Sequence, residues 1–312
     1  MTSTLERVAH RAYTPMLTPA RALSLLRAPS LAHTVRGKRV LVTGASSGIG
    51  RCTALRLGAA GAEVLLVART QAALEQVQAE ISTAGGTAHV LRCDMTNPDC
   101  VDRLAADVVE QFGGVDVLIN NAGHSIRRSV MRSVDRAHDF ERTMQLNYFG
   151  ALRLTLGLLE PMRQQRSGQV VNISTLGLQT STPRFSAYLA SKAALDAFAR
   201  SLGAETRHLG IRVSTVYVPL VRTPMISATD VYDGAPALRV EDAVELIVEA
   251  VRTRATSIKP RAALGFDAAR ALVPQRVEQV MNLAYLASRR TGTESSGGSL
   301  QARVAKALRV RI

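Results

Sequence analysis

The sequence predicts an α/β fold of one domain, a doubly wound parallel sheet with helices on both faces. Short runs rich in Val, Leu and Ile alternate with stretches of helical period from Lys38 to Val218. Runs of this kind are typical of strands that are buried on both faces. Because parallel neighbours need a crossover connection, the helical stretches between the runs complete the prediction.

The elements follow in order along the chain. Strands are predicted at KRVLVTG, AEVLLVA, AHVLRCD, VDVLINNAG, GQVVNIS and IRVSTVYV. Helices are predicted between them, among others at 71–84, 99–112 and 141–165. Beyond Pro219 the pattern predicts four further segments: a loop at 220–238, a helix at 240–253, a strand near 257–264 and one or two helices at 266–289.

Two flanking segments differ from the central domain, which we place at residues 37–265. Residues 1–36 form a basic extension of short helical patches separated by prolines. Residues 266–312 form a helical extension that ends in a basic tail. The stretch TGTESSGGS (291–299) has the composition of a flexible linker.

Composition excludes several classes of protein. The 46% share of hydrophobic residues is ordinary for a globular domain. No apolar run approaches the roughly 20 residues of a membrane span, and the first residues do not resemble a signal peptide. The three cysteines, Cys52, Cys93 and Cys100, form no CxxC pair and no metal-ligand spacing. We therefore expect reduced thiols, a cytoplasmic location and no metal site.

The net charge of +14 is concentrated at the two ends of the chain. Residues 1–40 and 287–312 together carry +11 of it, and aromatic residues make up only 4%. Nucleic acid is therefore not an expected partner. Amphipathic basic patches at 19–28 and 299–312 allow peripheral contact with an anionic membrane at its inner face. The alternative, which we favour, is that they pack on the body of the protein or on a neighbouring subunit.

The segment TGASSGIG (43–50) follows the first strand and opens a helix. Its glycines allow a tight turn and a close approach of the backbone to a pyrophosphate, while the helix amino end attracts negative charge. The order strand, turn, helix predicts a Rossmann-type dinucleotide site. The residues predicted to bind the cofactor here are Gly44, Ser46, Ser47, Gly48, Ile49 and Gly50.

The second strand ends with Ala68 and Arg69, where a site selective for NAD would place a carboxylate. A guanidinium suits a 2′-phosphate instead, so NADP(H) is favoured over NAD(H). The alternative is that Arg69 is a solvated loop residue.

The ends of the third and fourth strands are also expected to line the ligand crevice. Asp94 is placed to accept from the adenine amino group, although such a residue alone is more often a turn or a helix cap. The other residues predicted to bind the cofactor at these strand ends are Met95, Asn121, Ala122 and Gly123.

Tyr188 and Lys192 are spaced i, i+4, which places both side chains on one helix face. A neighbouring ammonium lowers the pKa of a tyrosine from about 10 and makes the phenol a usable general acid or base. Alone, the pair would be read as an ordinary surface Tyr and Lys. Its place after a strand that ends in Ser174 and Thr175, downstream of a dinucleotide turn, favours catalysis.

Together these motifs resemble the short-chain dehydrogenase/reductase family over about residues 38–223. The matching segments are TGxxxGxG, NNAG, YxxxK and Pro219, together with Asn147 and the hydroxyl pair. The resemblance implies that Tyr188 donates the proton to the carbonyl oxygen. It also implies that Lys192 holds the nicotinamide ribose, that Asn147 orders a water relay, and that Pro219 and Thr223 line the cofactor site.

The family places its catalytic hydroxyl thirteen residues before the tyrosine, a position that Thr175 occupies here in place of the usual serine. Thr175 is therefore the predicted partner, with Ser174 as the alternative. The family also implies a homodimer or homotetramer.

A narrower resemblance to actinobacterial fatty acyl-CoA reductases rests on the segments NNAGHSIRRSV, PRFSAYLASKAALDAFAR and PLVRTPMI. It implies NADPH-dependent reduction of a long-chain acyl-CoA, with Arg127, Arg128 and Arg222 as candidates to meet the CoA phosphates. The alternative for these arginines is a solvated surface. Two other functions stay open: reduction of a ketone or oxidation of a secondary alcohol, and a non-catalytic scaffold, which the complete catalytic set disfavours.

Overall fold

The computed structural model describes residues 12–16, 18–227 and 237–290. It contains a parallel sheet of seven strands in the order β3-β2-β1-β4-β5-β6-β7. The strands are β1 Arg39–Thr43, β2 Glu63–Ala68, β3 Thr87–Arg92, β4 Val117–Asn120, β5 Gly168–Thr175, β6 Ile211–Val218 and β7 Ser257–Ile258. The predicted doubly wound sheet is confirmed, because the strand order reverses direction between β1 and β4.

Helices connect the strands and cover both faces of the sheet. Those in the first half of the chain are α1 Pro19–Arg27, α2 Leu31–Val35, α3 Gly48–Gly58, α4 Gln71–Thr83, α5 Pro98–Phe112, α6 Ala137–Met144 and α7 Ala151–Gln164. Those that follow are α8 Gly177–Thr180, α9 Ser186–Thr206, α10 Pro224–Ser227, α11 Val240–Thr253, α12 Arg261–Leu272 and α13 Pro274–Arg290.

Successive side chains along each strand point to opposite faces of the sheet, so the core consists of two hydrophobic clusters. In β1, Val40 and Val42 join one hydrophobic cluster with helices α3, α4 and α11, whereas Leu41 joins the other with α5, α7 and α9. All three side chains are fully buried. Burial on both faces explains why the strands appear in the sequence as continuous apolar runs instead of an alternating pattern.

The helix predicted at 141–165 starts earlier and is interrupted. Helix α6 runs to Met144, a π-helical turn covers Gln145–Gly150, and α7 continues to Gln164. Gly150 explains part of the interruption, since a Cβ there would lie 2.4 Å from the carbonyl oxygen of Met95. The wider turn brings the helix backbone against the loop that follows β3, and such π turns are frequent at functional sites.

The strand predicted near 257–264 is much shorter than expected, covering only Ser257–Ile258. Pro260 has no N–H to donate to a ladder and serves instead as the N-cap of α12. The C-terminal helical stretch is divided into two helices at Val273, and Pro274 opens the second. The predicted linker at 291–299 and the amphipathic patch at 299–312 lie outside the described residues, and the three-part domain division stays a prediction.

The described part of the N-terminal extension packs on the body of the protein. Helix α1 is held to α11 by Arg21, which forms two hydrogen bonds with the carboxylate of Glu249, at 2.7 Å and 2.5 Å. The segment before it pairs with the C-terminal region through a backbone bridge between Pro15 and Pro260. For the 19–28 patch, packing on the body is therefore observed, although Leu26 remains 84% exposed.

Candidate active site

A cavity of about 630 Å³ opens at the carboxyl ends of the strands. This is the place where doubly wound sheets bind ligands. Every residue that the sequence predicts for catalysis or cofactor binding lines this cavity, except Gly50 and Asn147. We call residues 43–50, 68–70, 93–96 and 121–123 the turn side of the cavity. Residues 125–128, 174–189 and 219–225, together with Tyr285, form the loop side.

The glycine turn has the backbone geometry that the sequence predicts. Gly44 and Gly48 have φ values of +68° and +52°, a region that side chains disfavour. A Cβ on Gly50 would lie 2.2 Å from the carbonyl oxygen of Gly44, so only glycine lets helix α3 start this close to the strand. Ser47 and Gly48 line the cavity, and the first N–H groups of α3 have no acceptor within the helix. This cradle fits a pyrophosphate.

The NNAG segment is fastened to the glycine turn by hydrogen bonds. The Thr43 hydroxyl oxygen accepts from the backbone N–H groups of Asn121 and Ala122, both at 3.0 Å. The side-chain amide of Asn121 donates to the Thr43 carbonyl at 2.9 Å. The Asn121 side chain therefore holds the wall together, and the residues after it border the cavity.

The adenosine end predicted from the sequence contains Arg69 and Asp94. Arg69 is exposed at the end of β2 and lines the cavity, and the Arg92 guanidinium donates to its carbonyl oxygen at 3.3 Å. One carboxylate oxygen of Asp94 accepts from both the N–H and the hydroxyl of Thr96, at 2.9 Å and 2.8 Å. Asp94 thus forms a turn and also lines the cavity, and its contact with the adenine amino group stays a prediction.

Tyr188 and Lys192 lie one turn apart on α9 and both line the cavity. Lys192 is only 4% exposed, and its ammonium donates to the carbonyl oxygen of Ile173 at 2.8 Å. Burial lowers the pKa of Lys192 to about 8. The cavity that begins at the glycine turn therefore contains a lysine ammonium with a lowered pKa, one helical turn from the Tyr188 phenol.

Asn147 lies in the π-helical turn and has a fully engaged side chain. Its amide nitrogen donates to the His124 carbonyl and to the Ser191 hydroxyl, both at 2.9 Å, and its amide oxygen accepts from the His124 N–H at 2.8 Å. These bonds join the NNAG loop to α9 behind Lys192. A role for Asn147 in a water relay stays a prediction.

The hydroxyl pair at the end of β5 is resolved into two different environments. The Thr175 hydroxyl oxygen accepts from the Gly177 N–H at 3.1 Å, which leaves its own proton available to a ligand. Ser174 is 3% exposed, and its hydroxyl has no hydrogen-bond partner among the described residues. The geometry favours Thr175 as a donor to the cavity, because its oxygen is already oriented by the backbone.

The three arginines proposed for CoA phosphates have separate positions. Arg127 lines the cavity, but Arg128 donates to the buried carboxylate of Asp139 at 3.1 Å. A hydrogen bond from Arg136 holds the pKa of Asp139 below its usual value. Arg222 is exposed and does not line the cavity. The expectation for Arg128 is therefore corrected, because a buried carboxylate binds its guanidinium.

The lining residues that the sequence reasoning missed include Arg184 and Tyr285. The Arg184 guanidinium lies over the Tyr285 ring, 5.5 Å from its centroid. No local pattern predicts this contact, because Tyr285 lies about a hundred residues after Arg184 in a segment that shows only helical periodicity. Among the described residues, no group of three or more His, Cys, Asp or Glu side chains is arranged to hold a metal ion, and no helix is long and apolar enough to cross a membrane.

The fold and the cavity define a Rossmann-type oxidoreductase. A family model described as short chain dehydrogenase matches residues 38–231. The chain therefore belongs to the short-chain dehydrogenase/reductase family.

Two relatives and one solved structure are similar to this chain over most of its length. A fatty acyl-CoA reductase of Acinetobacter baylyi is 54% identical over 222 residues, covering 71% of this chain and 75% of the relative. A fatty acyl-CoA reductase of Mycobacterium tuberculosis is 46% identical over 246 residues, covering 78% and 84%. A solved metagenomic short-chain oxidoreductase in complex with NADP is 29% identical, with a TM-score of 0.62, covering 73% of this chain and 97% of its own.

Proposed function

We propose that this enzyme reduces a long-chain acyl-CoA thioester to the aldehyde with NADPH, using Tyr188 as the general acid. The observation that carries the proposal is the meeting of the buried Lys192, Tyr188 and the oriented Thr175 hydroxyl in one cavity with the glycine turn. The similarity to two proteins named fatty acyl-CoA reductase supports the substrate.

NADPH, when bound, supplies the hydride. The chain's own residues would do the rest: the Thr175 hydroxyl donates a hydrogen bond to the substrate carbonyl oxygen, and Tyr188 transfers its proton to that oxygen as negative charge develops. The Lys192 ammonium stabilises the resulting phenolate. The protonated hemithioacetal then loses CoA as the free thiol and leaves the aldehyde, so one NADPH and one proton are consumed for each thiol released.

The lining of the loop side supports an apolar substrate. Beyond Tyr188 the wall is formed by large apolar side chains, namely Leu176, Phe185, Leu189, Leu220 and Met225. Such a wall suits an acyl chain, because burial of each methylene contributes about 0.8 kcal/mol.

NADP(H) is the proposed cofactor form. Arg69 lines the cavity at the end of β2, and Arg92 brings a second guanidinium to the same strand ends. A cation that lines the cavity at this position suits a 2′-phosphate, which NAD lacks.

The test is NADPH oxidation by the purified chain with palmitoyl-CoA, with free thiol measured in parallel. We expect one thiol for each NADPH oxidised, and loss of both signals in Tyr188→Phe. NADPH oxidation without thiol release, using ketone substrates, would support the alternative of a ketone or secondary-alcohol oxidoreductase.

We also propose a homo-oligomer, a property common in this family. A shallow apolar surface formed by α6, the π turn and α9 supports it, with Tyr148, Phe149, Ala197 and Phe198 among its residues. Light scattering of wild type and Phe149→Asp would show whether this surface joins subunits. Peripheral membrane contact through the basic ends stays a proposal, supported by the exposed Leu23 and Leu26 on α1.

A further inference from the structure

Two guanidinium groups border the loop side of the cavity. They belong to Arg127 and Arg184, and the Lys192 ammonium lines the same cavity. Arg128, the neighbour of Arg127, does not line the cavity and donates to the carboxylate of Asp139, which it shares with Arg136 and Arg142. Arg127 and Arg184 are therefore the arginines of the loop side that a ligand in the cavity would meet.

Arg184 is held in an unusual backbone conformation. Its φ value is +73°, a region that a side chain with a Cβ rarely adopts. Its carbonyl oxygen accepts from the Arg128 N–H at 2.7 Å, and Arg128 is itself fixed by Asp139. Residues kept in such conformations by their surroundings cluster at ligand sites.

The side chain of Arg184 is oriented from the other direction by the C-terminal region. Its guanidinium lies over the ring of Tyr285 in α13, which also lines the cavity. Backbone and side chain of Arg184 are thus positioned independently, by the 125–128 segment and by α13. A guanidinium fixed in this way loses less conformational freedom when it binds a ligand.

We infer that Arg127 and Arg184 form a phosphate-binding subsite for the CoA portion of the substrate, and that Tyr285 is a positioning residue for Arg184. The inference rests on the proposed function. Guanidinium groups match phosphate oxygens through paired, charge-assisted hydrogen bonds. An acyl-CoA combines an apolar chain, which suits the wall beyond Tyr188, with phosphates that suit the two arginines.

The test compares two thioesters of the same acyl chain, palmitoyl-CoA and the palmitoyl thioester of N-acetylcysteamine, which carries no phosphate. In the double variant Arg127→Met/Arg184→Met we expect KM for palmitoyl-CoA to rise about tenfold or more, since hydrogen bonds to charged groups are strong. The kcat with either thioester, KM for the phosphate-free thioester and KM for NADPH should stay unchanged. Arg132→Met, an exposed arginine nearby that does not line the cavity, is the matched control and should behave as wild type.

Two results would overturn the subsite. An equal loss with both thioesters would mean that the arginines only support the wall, and a raised KM for NADPH would assign them to the cofactor. If the double variant does not fold, Arg184→Gly replaces Arg184→Met, because glycine accepts the positive φ.

Failure of the proposed function is separable from failure of the subsite. If the wild type reduces neither thioester, acyl-CoA reduction is wrong, and binding of free CoA to the NADP-saturated protein is measured by calorimetry. Binding by the wild type that is lost in the double variant supports the subsite. No binding by the wild type overturns it.

Tyr285 has a separate prediction. Tyr285→Phe keeps a ring under the guanidinium, whereas Tyr285→Leu removes it, so we expect Leu but not Phe to raise KM for palmitoyl-CoA, by about two- to fivefold. The kcat and KM for the phosphate-free thioester should not change. An equal rise in KM for both thioesters in Tyr285→Leu would mean that Tyr285 has only a structural role.

Discussion

The turn side and the loop side of the cavity are held in place by different kinds of contact. On the turn side, the backbone is in close contact with itself or with a short side chain, as where Gly50 lies against the Gly44 carbonyl and the Thr43 hydroxyl accepts from two N–H groups of the NNAG segment. On the loop side, long side chains make the connections, as between Arg128 and Asp139 and between Arg184 and Tyr285. The turn side therefore tolerates few substitutions, whereas the loop side allows its ligand contacts to change while the fold is kept.

The largest expected effect on a kinetic constant is that of a substitution at Thr175, which lies on the loop side. Thr175→Val keeps the shape of the side chain and removes the hydroxyl, so we expect kcat to fall by about 10²- to 10³-fold, the usual effect of losing one oxyanion donor. KM for NADPH should not change, because the turn side is untouched. Steady-state kinetics with Thr175→Ser and Ser174→Ala, both expected to stay within a fewfold of wild type, are the controls. A large loss in Ser174→Ala instead would transfer the role to Ser174.

Lys192 borders both sides, and its burial predicts a conflict between stability and activity. The unfolded lysine has a pKa near 10.5 and the folded one about 8, so below pH 8 both states are protonated and folding is penalised by about 3 kcal/mol. Lys192→Met should therefore be more stable at pH 7 by an amount of this order, while it loses activity. As pH rises from about 8 to 10.5 the folded state loses its proton first, the penalty declines, and wild type approaches the variant.

Urea denaturation of the cofactor-free proteins at pH 7 and pH 9.5 measures this difference. Lys38→Met, at an exposed surface salt bridge, is the matched control and should change the free energy of unfolding by less than about 1 kcal/mol at either pH. A stability gain in Lys192→Met that is the same at both pH values would exclude the pKa explanation.

Two glycines compare the turn side with a helix that does not line the cavity. Gly50→Ala places a Cβ 2.2 Å from a backbone oxygen, so we expect a loss of about 1–3 kcal/mol in the free energy of unfolding and weaker NADPH binding. Gly265 lies in α12, after the loop side, with nothing within 4 Å of an added Cβ. Gly265→Ala should stabilise the protein by up to about 1 kcal/mol. Thermal unfolding with and without NADPH measures the change in stability and in NADPH binding for each variant. Equal changes in the two variants would contradict the prediction.

The smallest effect concerns the exposed edge of the turn side. Arg69→Met should raise KM for NADPH about tenfold and leave KM for NADH unchanged, because only NADPH carries the 2′-phosphate. Kinetics with the two cofactors make the comparison within one variant. Equal changes in KM for both cofactors would mean that Arg69 does not bind the 2′-phosphate and is a solvated surface residue.

Much of the turn side was predictable from the sequence because its signals are local. Each strand is an uninterrupted apolar run, and the turn at 43–50 follows from glycines whose backbone angles other residues disfavour. Tyr188 and Lys192 share a helix face through their spacing alone. The interruption at Gln145–Gly150 was not predictable, since it depends on contact between Gly150 and Met95, which lie far apart in the sequence.

The sequence by itself determined the parallel sheet, the glycine turn, and the spacing that places the phenol and the ammonium on one helix face. Periodicity, steric limits on the backbone and short spacings decide these features within a few residues. Only the tertiary structure decided that Asp139 binds Arg128, that Tyr285 lies beneath Arg184, and that Pro260 ends the last strand early and caps a helix. The two side-chain contacts join segments brought together by packing of the whole chain, and no local pattern encodes which charged or aromatic side chain will be the neighbour.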